Sequence, residues 1–401
     1  MITRFRKGQQ IRQNDLNNII NGLTGRMVGG PGVNVRKMAG GMVIDADAQT
    51  RVYDQGILQY GDIVKLTLGL RPVNSKNYGF LENAQQIEKL NINVKDDTLI
   101  VYSYDEFLRI IDKDTLLLND SVETTQSARS GNIYMPNYRN SVIDSNYIYL
   151  NYGRAGVPNY PTVARYDYDL NLIDQTEVPS SMDGDRLPIT CINDTGDYIS
   201  SWGKIHTKAI DSFNQIPVEI PIGNDVRACA GYCGDSDVFV SYPISDASNQ
   251  GIKISRYNLA AVEQNSYIVD FGEDAVNSAI TFDGTDIYLW ASSLNYSTLY
   301  RLNTSLAVQD SKNTATYTGI PIQANAMVYN DGYLYAVSPW GTRTSPYETS
   351  EVLKIDASDL SFDRSWFYGG RSAIGGGQTG TLSGITTDGT YIYVIGYTSA
   401  S

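Results

Sequence analysis

A short hairpin pattern recurs seven times between residues 91 and 396 and constrains the fold more than any other feature. Each copy is an apolar strand, a turn of Asp, Asn or Gly, and a second strand resembling Ile-Tyr-Leu. The second strands align at Leu99, Ile148, Tyr198, Val238, Ile287, Leu334 and Ile392, with spacings of 49, 50, 40, 49, 47 and 58 residues. A period near 50 with several strands per unit predicts a β-propeller of seven blades.

Six of the copies continue into a second hairpin. Its first strands are FLRIIDKD (107–114), VARYDYDL (163–170), KAIDSF (208–213), IKISRYNL (252–259), LYRLNTSL (299–306) and EVLKIDASDL (351–360). Four strands per unit is the propeller blade. The seventh copy stops at Ser401, so its outer strands are expected from residues before the first copy, either 63–71 or 79–88. The sequence therefore predicts an all-β chain, with a seven-bladed β-propeller over 63–401.

The first 62 residues follow a different pattern and predict a small helix-plus-hairpin anchoring segment. Apolar residues at helical spacing form one stripe, and a hairpin pairs 33–38 with 42–46 across Ala39-Gly40-Gly41. So short a helix needs a partner surface, either the propeller, sister chains or another protein. The residues expected to make this oligomer or anchor contact are Leu16, Ile19, Ile20, Leu23, Val33 and Val35.

This segment resembles the opening of tailed-bacteriophage virion proteins. The matching residues are Gly8-Gln9, Leu16-Asn17, Gly30-Pro31-Gly32-Val33 and Val35-Arg36. The resemblance covers about the first 45 residues and implies a structural virion component, tail, fibre or head-attached, whose N-terminal segment binds other virion proteins. It implies no catalytic residue. Fibre-like virion proteins are commonly threefold, so a homotrimer is the expected assembly.

Charge is unevenly distributed along the chain. Residues 1–75 carry 10 Lys and Arg against 5 Asp and Glu, whereas the remainder carries 21 against 39. The acidic body argues against nucleic-acid binding, and the basic segment either docks on an acidic partner or serves solubility. The opening MITRFRKGQQIRQNDL lacks the apolar run of a secretory signal. No stretch is apolar enough for membrane insertion. The resemblance implies that the protein is located in the virion, after synthesis in the host cytoplasm.

Neither a catalytic centre nor a metal or cofactor site is predicted. His206 is the only histidine, with no nucleophile motif beside it. A zinc set of Cys191, Cys229, Cys233 and His206 is disfavoured, because four residues of extended strand separate Cys229 from Cys233 by roughly 13 Å. The three cysteines are instead expected as reduced, buried strand thiols.

Aspartates recur in the hairpin turns. They stand at Asp96-Asp97, Asp183-Gly184-Asp185, Asp235-Ser236-Asp237 and Asp283-Gly284-Thr285-Asp286. The spacing of a calcium loop is missing, and Asp and Gly suit the positive-φ turn positions. These residues are therefore expected to shape turns, with cation binding at one or two of them as the alternative.

Long connections between the second and third strands indicate a recognition face. The candidate ligand-binding aromatics on it are Tyr152, Tyr160, Tyr242, Tyr296, Trp340 and Tyr347. They suit a host-surface glycan or protein, or they pack on the blade ends. The leading hypothesis is a non-enzymatic phage protein that displays a propeller for host-surface or virion-protein binding. The alternatives are a propeller hydrolase or lyase of surface polysaccharide, and a capsid-decorating protein without a ligand.

Overall fold

A computed structural model gives the structure of the chain, and it is all-β, as the sequence predicts. The structure describes residues 33–38, 41–46, 63–76, 78, 91–102, 107–124, 140–153, 161–177, 189–192, 198–201, 204–207, 218–219, 230–245, 249–258, 260, 262–318, 322–341, 349–368 and 380–398. Within these residues the one helix is α1 (Ala315–Thr318), and no helix is long and apolar enough to cross a bilayer. The chain divides into two compact units, Met1–Val52 and Tyr53–Ser401.

The first unit contains an antiparallel hairpin of β1 (Val33–Met38) and β2 (Gly41–Ala46). Val33 pairs with Ala46, and the ladder runs to Met38 opposite Gly41. Gly41 therefore belongs to the second strand rather than to the turn, because the register leaves only residues 39 and 40 to connect the strands. The anchor candidates Val33 and Val35 both lie on β1. The predicted helix with Leu16, Ile19, Ile20 and Leu23 lies outside the described residues.

The second unit is built from four-stranded antiparallel sheets, each named here by its first strand. The β5 sheet contains β5 (Asn91–Lys95), β6 (Thr98–Tyr102), β7 (Phe107–Asp112) and β8 (Leu118–Glu123), and the β9 sheet contains β9 (Asn140–Ile143), β10 (Ile148–Gly153), β11 (Pro161–Tyr166) and β12 (Leu172–Glu177). The β13 sheet contains β13 (Ile189–Ile192), β14 (Tyr198–Ser201), β15 (Lys204–Thr207) and β16 (Val218–Glu219), and the β17 sheet contains β17 (Ala230–Cys233), β18 (Asp237–Ser245), β19 (Gln250–Asn258) and β20 (Glu263–Asp270). The β21 sheet contains β21 (Ala275–Phe282), β22 (Asp286–Ser293), β23 (Ser297–Asn303) and β24 (Val308–Asn313), and the β25 sheet contains β25 (Ala326–Asn330), β26 (Tyr333–Gly341), β27 (Thr349–Asp356) and β28 (Phe362–Tyr368).

The β29 sheet joins strands from opposite ends of the sequence. Its order is β29 (Gly380–Thr387), β30 (Tyr391–Thr398), β3 (Ile63–Thr67) and β4 (Pro72–Lys76). Ile63 of β3 pairs with Ile395 of β30. Of the two segments considered for this place, 63–71 contains β3, whereas 79–88 lies outside the described residues.

Neighbouring sheets pack through their first strands. Each first strand contacts the first strand of the sheet that follows, and β29 contacts β5, so the succession returns to its starting sheet. Apolar clusters fill the space between adjacent sheets. One example lies between the β29 and β5 sheets and contains Ile63, Ile92, Leu99, Val101, Ile111, Leu116, Tyr393 and Ile395. The stability of each sheet therefore depends on its neighbours.

Five of the turns between third and fourth strands share an unusual backbone feature. In each of these five a leucine has positive φ, a conformation that favours glycine. These leucines are Leu70, Leu116, Leu170, Leu306 and Leu360, with φ of 60°, 55°, 63°, 61° and 55°. All five are buried, so packing of the side chain offsets the backbone cost. Asp or Asn side chains support the turn, as where Asn303 Oδ1 accepts from the backbone N–H groups of Ser305 and Ala307.

Two sequence predictions need correction in the β13 region. The third strand of that sheet is β15 (Lys204–Thr207), whereas the predicted strand 208–213 lies outside the described residues. The expectation of reduced thiols is wrong for two of the three cysteines, because Cys191 and Cys233 form a disulfide. They stand on β13 and β17, whose contact brings their Cα atoms within 5.5 Å.

Candidate functional site

The antiparallel order gives each sheet two chemically different ends. Turns between strands one and two, and between strands three and four, lie at one end, which we call the short-turn end. Connections between strands two and three, and links to the next sheet, lie at the other, the long-loop end. The two ends are therefore separate candidates for function.

At the short-turn end, aspartate carboxylates close the hairpin turns. Oδ1 of Asp283 accepts hydrogen bonds from the backbone N–H groups of Thr285 and Asp286, both at 2.7 Å. Oδ2 accepts from the hydroxyl of Tyr288 at 2.9 Å. This uses both carboxylate oxygens, as a turn-shaping role requires.

The same arrangement recurs at Asp144 with Tyr149 and at Asp388 with Tyr393, each pair five residues apart. Burial first, and then the bond to Asp388, raises the pKa of the Tyr393 hydroxyl above its usual range. Burial works to raise the pKa of Asp388. Hydrogen bonds from the backbones of Tyr391 and Thr390 and from Tyr393 outweigh it and hold the pKa low. These groups are fixed in one protonation state near neutral pH, which does not suit acid–base catalysis.

The other predicted Asp-rich turns make different contacts where they are described. The carboxylate of Asp237 accepts hydrogen bonds from Nε and Nη2 of Arg256, both at 2.9 Å. These bonds lower the pKa of the Asp237 carboxyl. Asp96 sits in a turn with φ of 51°, and the turn at 183–185 lies outside the described residues. Within the described part of the chain no group of three or more His, Cys, Asp or Glu side chains could hold a metal ion. The disulfide also removes two thiolates from the zinc set considered above, whose His206 lies on β15.

The candidate aromatics of the long-loop end have diverse positions. Tyr152 lies on β10 and Trp340 on β26, both in strands rather than loops, while Tyr160 and Tyr347 lie outside the described residues. Tyr242 is wrong as an exposed candidate, because it lies on β18 with 3% exposure and its hydroxyl is 3.4 Å from Ser255 Oγ. The long alternation of β18 extends past the predicted strand end and points this ring inward. Tyr296 is the aromatic whose exposure the structure bears out, at 53%.

Tyr296 belongs to a tight, braced turn between β22 and β23. The backbone N–H of Ser293 donates to the carbonyl of Tyr296 at 2.8 Å. Glu273, from the link between β20 and β21, accepts from Asn295 twice, from the backbone N–H at 2.8 Å and from Nδ2 at 2.6 Å. Hydrogen bonds from Ser293 and then Asn295 hold the pKa of Glu273 below its usual range. The turn is thus tied to the adjacent link by a carboxylate that stays ionised.

A buried polar network lies beneath this turn. Ser297 Oγ contacts Ser292 Oγ at 3.0 Å and accepts from Nε1 of the fully buried Trp290 at 2.8 Å. Trp290 Nε1 also donates to the carbonyl of Ile322 at 2.9 Å. Thr314, just before α1, donates through its backbone N–H to the carbonyl of Ser297 at 3.0 Å. A satisfied buried network of this kind fixes the position of the turn above it.

The outcome is a rigid platform that presents Leu294 and Tyr296, which are 49% and 53% exposed. We name these two residues with Asn295 and Glu273 the braced turn. The Asn295 amide and the Glu273 carboxylate are bound to each other, so Leu294 and the ring of Tyr296 dominate the outward chemistry, as at a protein recognition surface. The sequence indicated Tyr296 but missed Leu294 and Glu273. Leu294 is in the same SSLNYS segment, whereas nothing local marks Glu273, which acts from another loop.

Comparison with protein-family models and with curated proteins finds no match to this sequence.

Proposed function

We propose that the second unit is a seven-bladed β-propeller. Four-stranded antiparallel sheets in sequence order support this, together with first-strand contacts that return from β29 to β5. Completion of the last sheet by β3 and β4 would close such a ring with both ends of the propeller in one blade. The predicted N-terminal helix-plus-hairpin segment, 1–62, is part of the same proposal.

The proposed role is that of a phage virion structural protein that binds a partner without catalysis. The N-terminal resemblance supports the virion setting, with the segment attached to other virion proteins. The observation that carries the binding role is the braced turn, where internal hydrogen bonds hold Leu294 and Tyr296 in an exposed position. A preorganised apolar and aromatic pair loses little entropy on binding. At the short-turn end, by contrast, the carboxylates of Asp144, Asp283 and Asp388 accept hydrogen bonds within their own hairpins.

A cell-binding assay tests this role. Fluorescently labelled full-length protein is incubated with a panel of bacterial strains, and bound protein is counted by flow cytometry. Leu294→Ser and Tyr296→Ser should each lower binding to a recognised strain about tenfold, as loss of an interface anchor does. Leu172→Ser is the matched control, because Leu172 is 47% exposed on the outer strand β12. Equal binding by all four proteins would contradict a role for the braced turn.

The same protein separates binding from enzymatic action. Incubation with purified capsular polysaccharide or lipopolysaccharide should leave the polymer length unchanged by size-exclusion chromatography. Depolymerisation would overturn the non-enzymatic role and favour the hydrolase or lyase. Lack of binding to every strain, in a protein that is still incorporated into virions, would favour the decorating protein without a ligand.

Deletion of residues 1–45 tests the anchoring segment. Met1–Val52 is a compact unit of its own, so the deletion leaves every strand of the second unit in place. The truncated protein should stay folded by circular dichroism but fail to enter virions. Light scattering should show that a trimeric full-length chain becomes monomeric. Normal incorporation of the truncated protein would contradict the anchoring role.

A further inference from the structure

A covalent bond joins two adjacent sheets. Cys191 of β13 and Cys233 of β17 form a disulfide with a Cα–Cα distance of 5.5 Å. Both residues are buried, with 8% and 5% exposure. Because β13 and β17 are the first strands of neighbouring sheets, the bond ties one sheet to the next rather than strands within a sheet.

Among the four-stranded sheets that the structure describes, the β13 sheet, which holds one end of the bond, has the shortest backbone ladder. The β13 sheet has strands of four, four, four and two residues, whereas β18 and β19 in the following sheet have nine each. A short ladder supplies few hydrogen bonds, and such regions open locally before the rest of a protein. The β13 sheet is therefore the part of the second unit with most to gain from a covalent constraint.

The bond also encloses the weak sheet. The two cysteines are separated by 42 residues, and the loop between them contains β14, β15 and β16. Opening of those three strands would leave β13 fixed to β17. A cross-link of this kind restricts the opened chain and so favours the closed sheet.

We infer that Cys191 and Cys233 are a redox-dependent staple of the β13 sheet, open as two thiols in a reducing cell and closed in oxidising surroundings. The oxidant would be a small-molecule disulfide such as glutathione disulfide. One cysteine thiolate attacks it and releases one small thiol. The other cysteine then attacks the mixed disulfide, which releases the second small thiol and forms the Cys191–Cys233 bond. Both cysteines are oxidised, two small thiols are produced, and Cys229 remains as the third thiol. This inference does not rest on the proposed binding role.

Thiol counting tests the pairing. Full-length protein made in a reducing cytosol is treated with glutathione disulfide, both folded and during refolding, so that burial of the thiols does not decide the result. It is then denatured with iodoacetamide and weighed by mass spectrometry. One alkylated cysteine is expected after oxidation and three after reduction. Three alkylated cysteines under every oxidising condition would overturn the inference.

Peptide mapping needs variants to assign the bond. Trypsin should yield peptide 187–204 linked to peptide 228–253, but the second peptide contains both Cys229 and Cys233. The link should persist in Cys229→Ser and disappear in Cys233→Ser. A link that survives Cys233→Ser and is lost in Cys229→Ser would show that the pairing is wrong.

Hydrogen–deuterium exchange tests the stapling itself. Oxidation should slow exchange in residues 189–219 by about tenfold, with a much smaller effect on the β21 sheet, because only local opening is suppressed. The comparison uses oxidised and reduced wild type, so it does not depend on whether a variant folds. Cys229→Ser should respond to oxidation like the wild type, and Cys191→Ser should not respond. A bond that forms without slowing exchange would overturn the stapling role.

Discussion

The hydroxyl of Tyr393 donates a 3.0 Å hydrogen bond to Oδ2 of Asp388, five residues earlier in the same hairpin. The other carboxylate oxygen of Asp388 accepts the backbone N–H groups of Thr390 and Tyr391. Tyrosine on the second strand therefore orients the aspartate that shapes the turn. Its recurrence at Asp144–Tyr149 and Asp283–Tyr288 explains why Asp and Tyr repeat together in this sequence.

Tyr393→Phe should destabilise the protein by about 1.5–3 kcal/mol, the usual cost of losing a hydrogen bond to a charged group. The ring of Tyr393 is fully buried, so its packing is retained by phenylalanine while the bond to Asp388 is lost. Urea unfolding followed by tyrosine fluorescence measures the change. Tyr296→Phe is the control, since that ring is 53% exposed, and its stability should stay within about 0.5 kcal/mol of wild type.

The same carboxylate should contribute to acid stability. Because the pKa of Asp388 is lowered in the folded protein, its ionised form contributes stability above the unfolded value of about 3.9. That contribution is lost as the pH falls through the lower, folded pKa. The stability difference between wild type and Asp388→Asn should therefore be largest near neutral pH and shrink below about pH 4. Urea unfolding across pH 2–7 checks it, and a difference that grows on acidification would contradict it.

The hairpins were predictable because their signal is local. Alternating apolar residues and Asp-Gly turns identify strands such as β21 and β22 directly, and the repeated spacing indicates that each pair belongs to a similar sheet. The place of β15 was not predictable from this signal. Lys204–Thr207 has no run of apolar residues, and its pairing with Tyr198–Ser201 defines it instead.

Features set by contacts between distant segments were also missed. The disulfide depends on packing of β13 against β17, and neither Cys191 nor Cys233 has a neighbouring residue that signals the other. Burial of Tyr242 depends on the length of β18, which continues to Ser245. The sequence pattern ended this strand too early and so placed Tyr242 in a loop. At the braced turn, Glu273 comes from a separate link. Local pattern thus identifies the repeating elements, while the site emerges only from their packing.

The positive-φ leucines allow a test in which a glycine variant should be more stable than an alanine variant, the reverse of the usual order. At Leu360, with φ of 55° and no exposed surface, both Leu360→Ala and Leu360→Gly remove a buried side chain and should cost about 2–5 kcal/mol. Alanine keeps a Cβ that this backbone disfavours, so the glycine variant should be the more stable by about 1 kcal/mol. Thermal and urea unfolding of the two variants measure the difference.

Leu353 provides the matched comparison. It is equally buried but lies within β27, where glycine carries the usual entropic cost. There the alanine variant should be the more stable by about 0.5–1 kcal/mol. The same ranking at both positions would contradict the strain assigned to the turn.

Three basic residues on the third strands share one position. Lys65, Arg256 and Lys354 each lie two residues before the position opposite the first residue of the second strand, which places the two side chains diagonally on one face. Where that first residue is Asp237, it pairs with Arg256. Where it is a tyrosine, the cation lies over the ring: Lys354 Nζ is 3.7 Å from the ring centroid of Tyr333, and Lys65 Nζ is 4.1 Å from that of Tyr391. An aspartate or a tyrosine at the start of the second strand can thus bind the cation of the third strand, through an ion pair or through a cation–π contact.

A double-mutant cycle tests the cation–π contact between Lys354 and Tyr333. Lys354→Met and Tyr333→Leu, singly and together, should give a coupling free energy of about 1–2 kcal/mol, because Lys354 is 9% exposed and its charge is largely desolvated over the ring. The cycle cancels the separate loss of the Lys354–Asp363 ion pair, which is present at 3.4 Å. Lys95→Met with Tyr168→Leu is the control cycle, since that ammonium lies 5.7 Å from its ring centroid, and its coupling should fall below about 0.5 kcal/mol. Equal coupling in the two cycles, measured by urea unfolding, would show that the close contact adds nothing beyond general proximity.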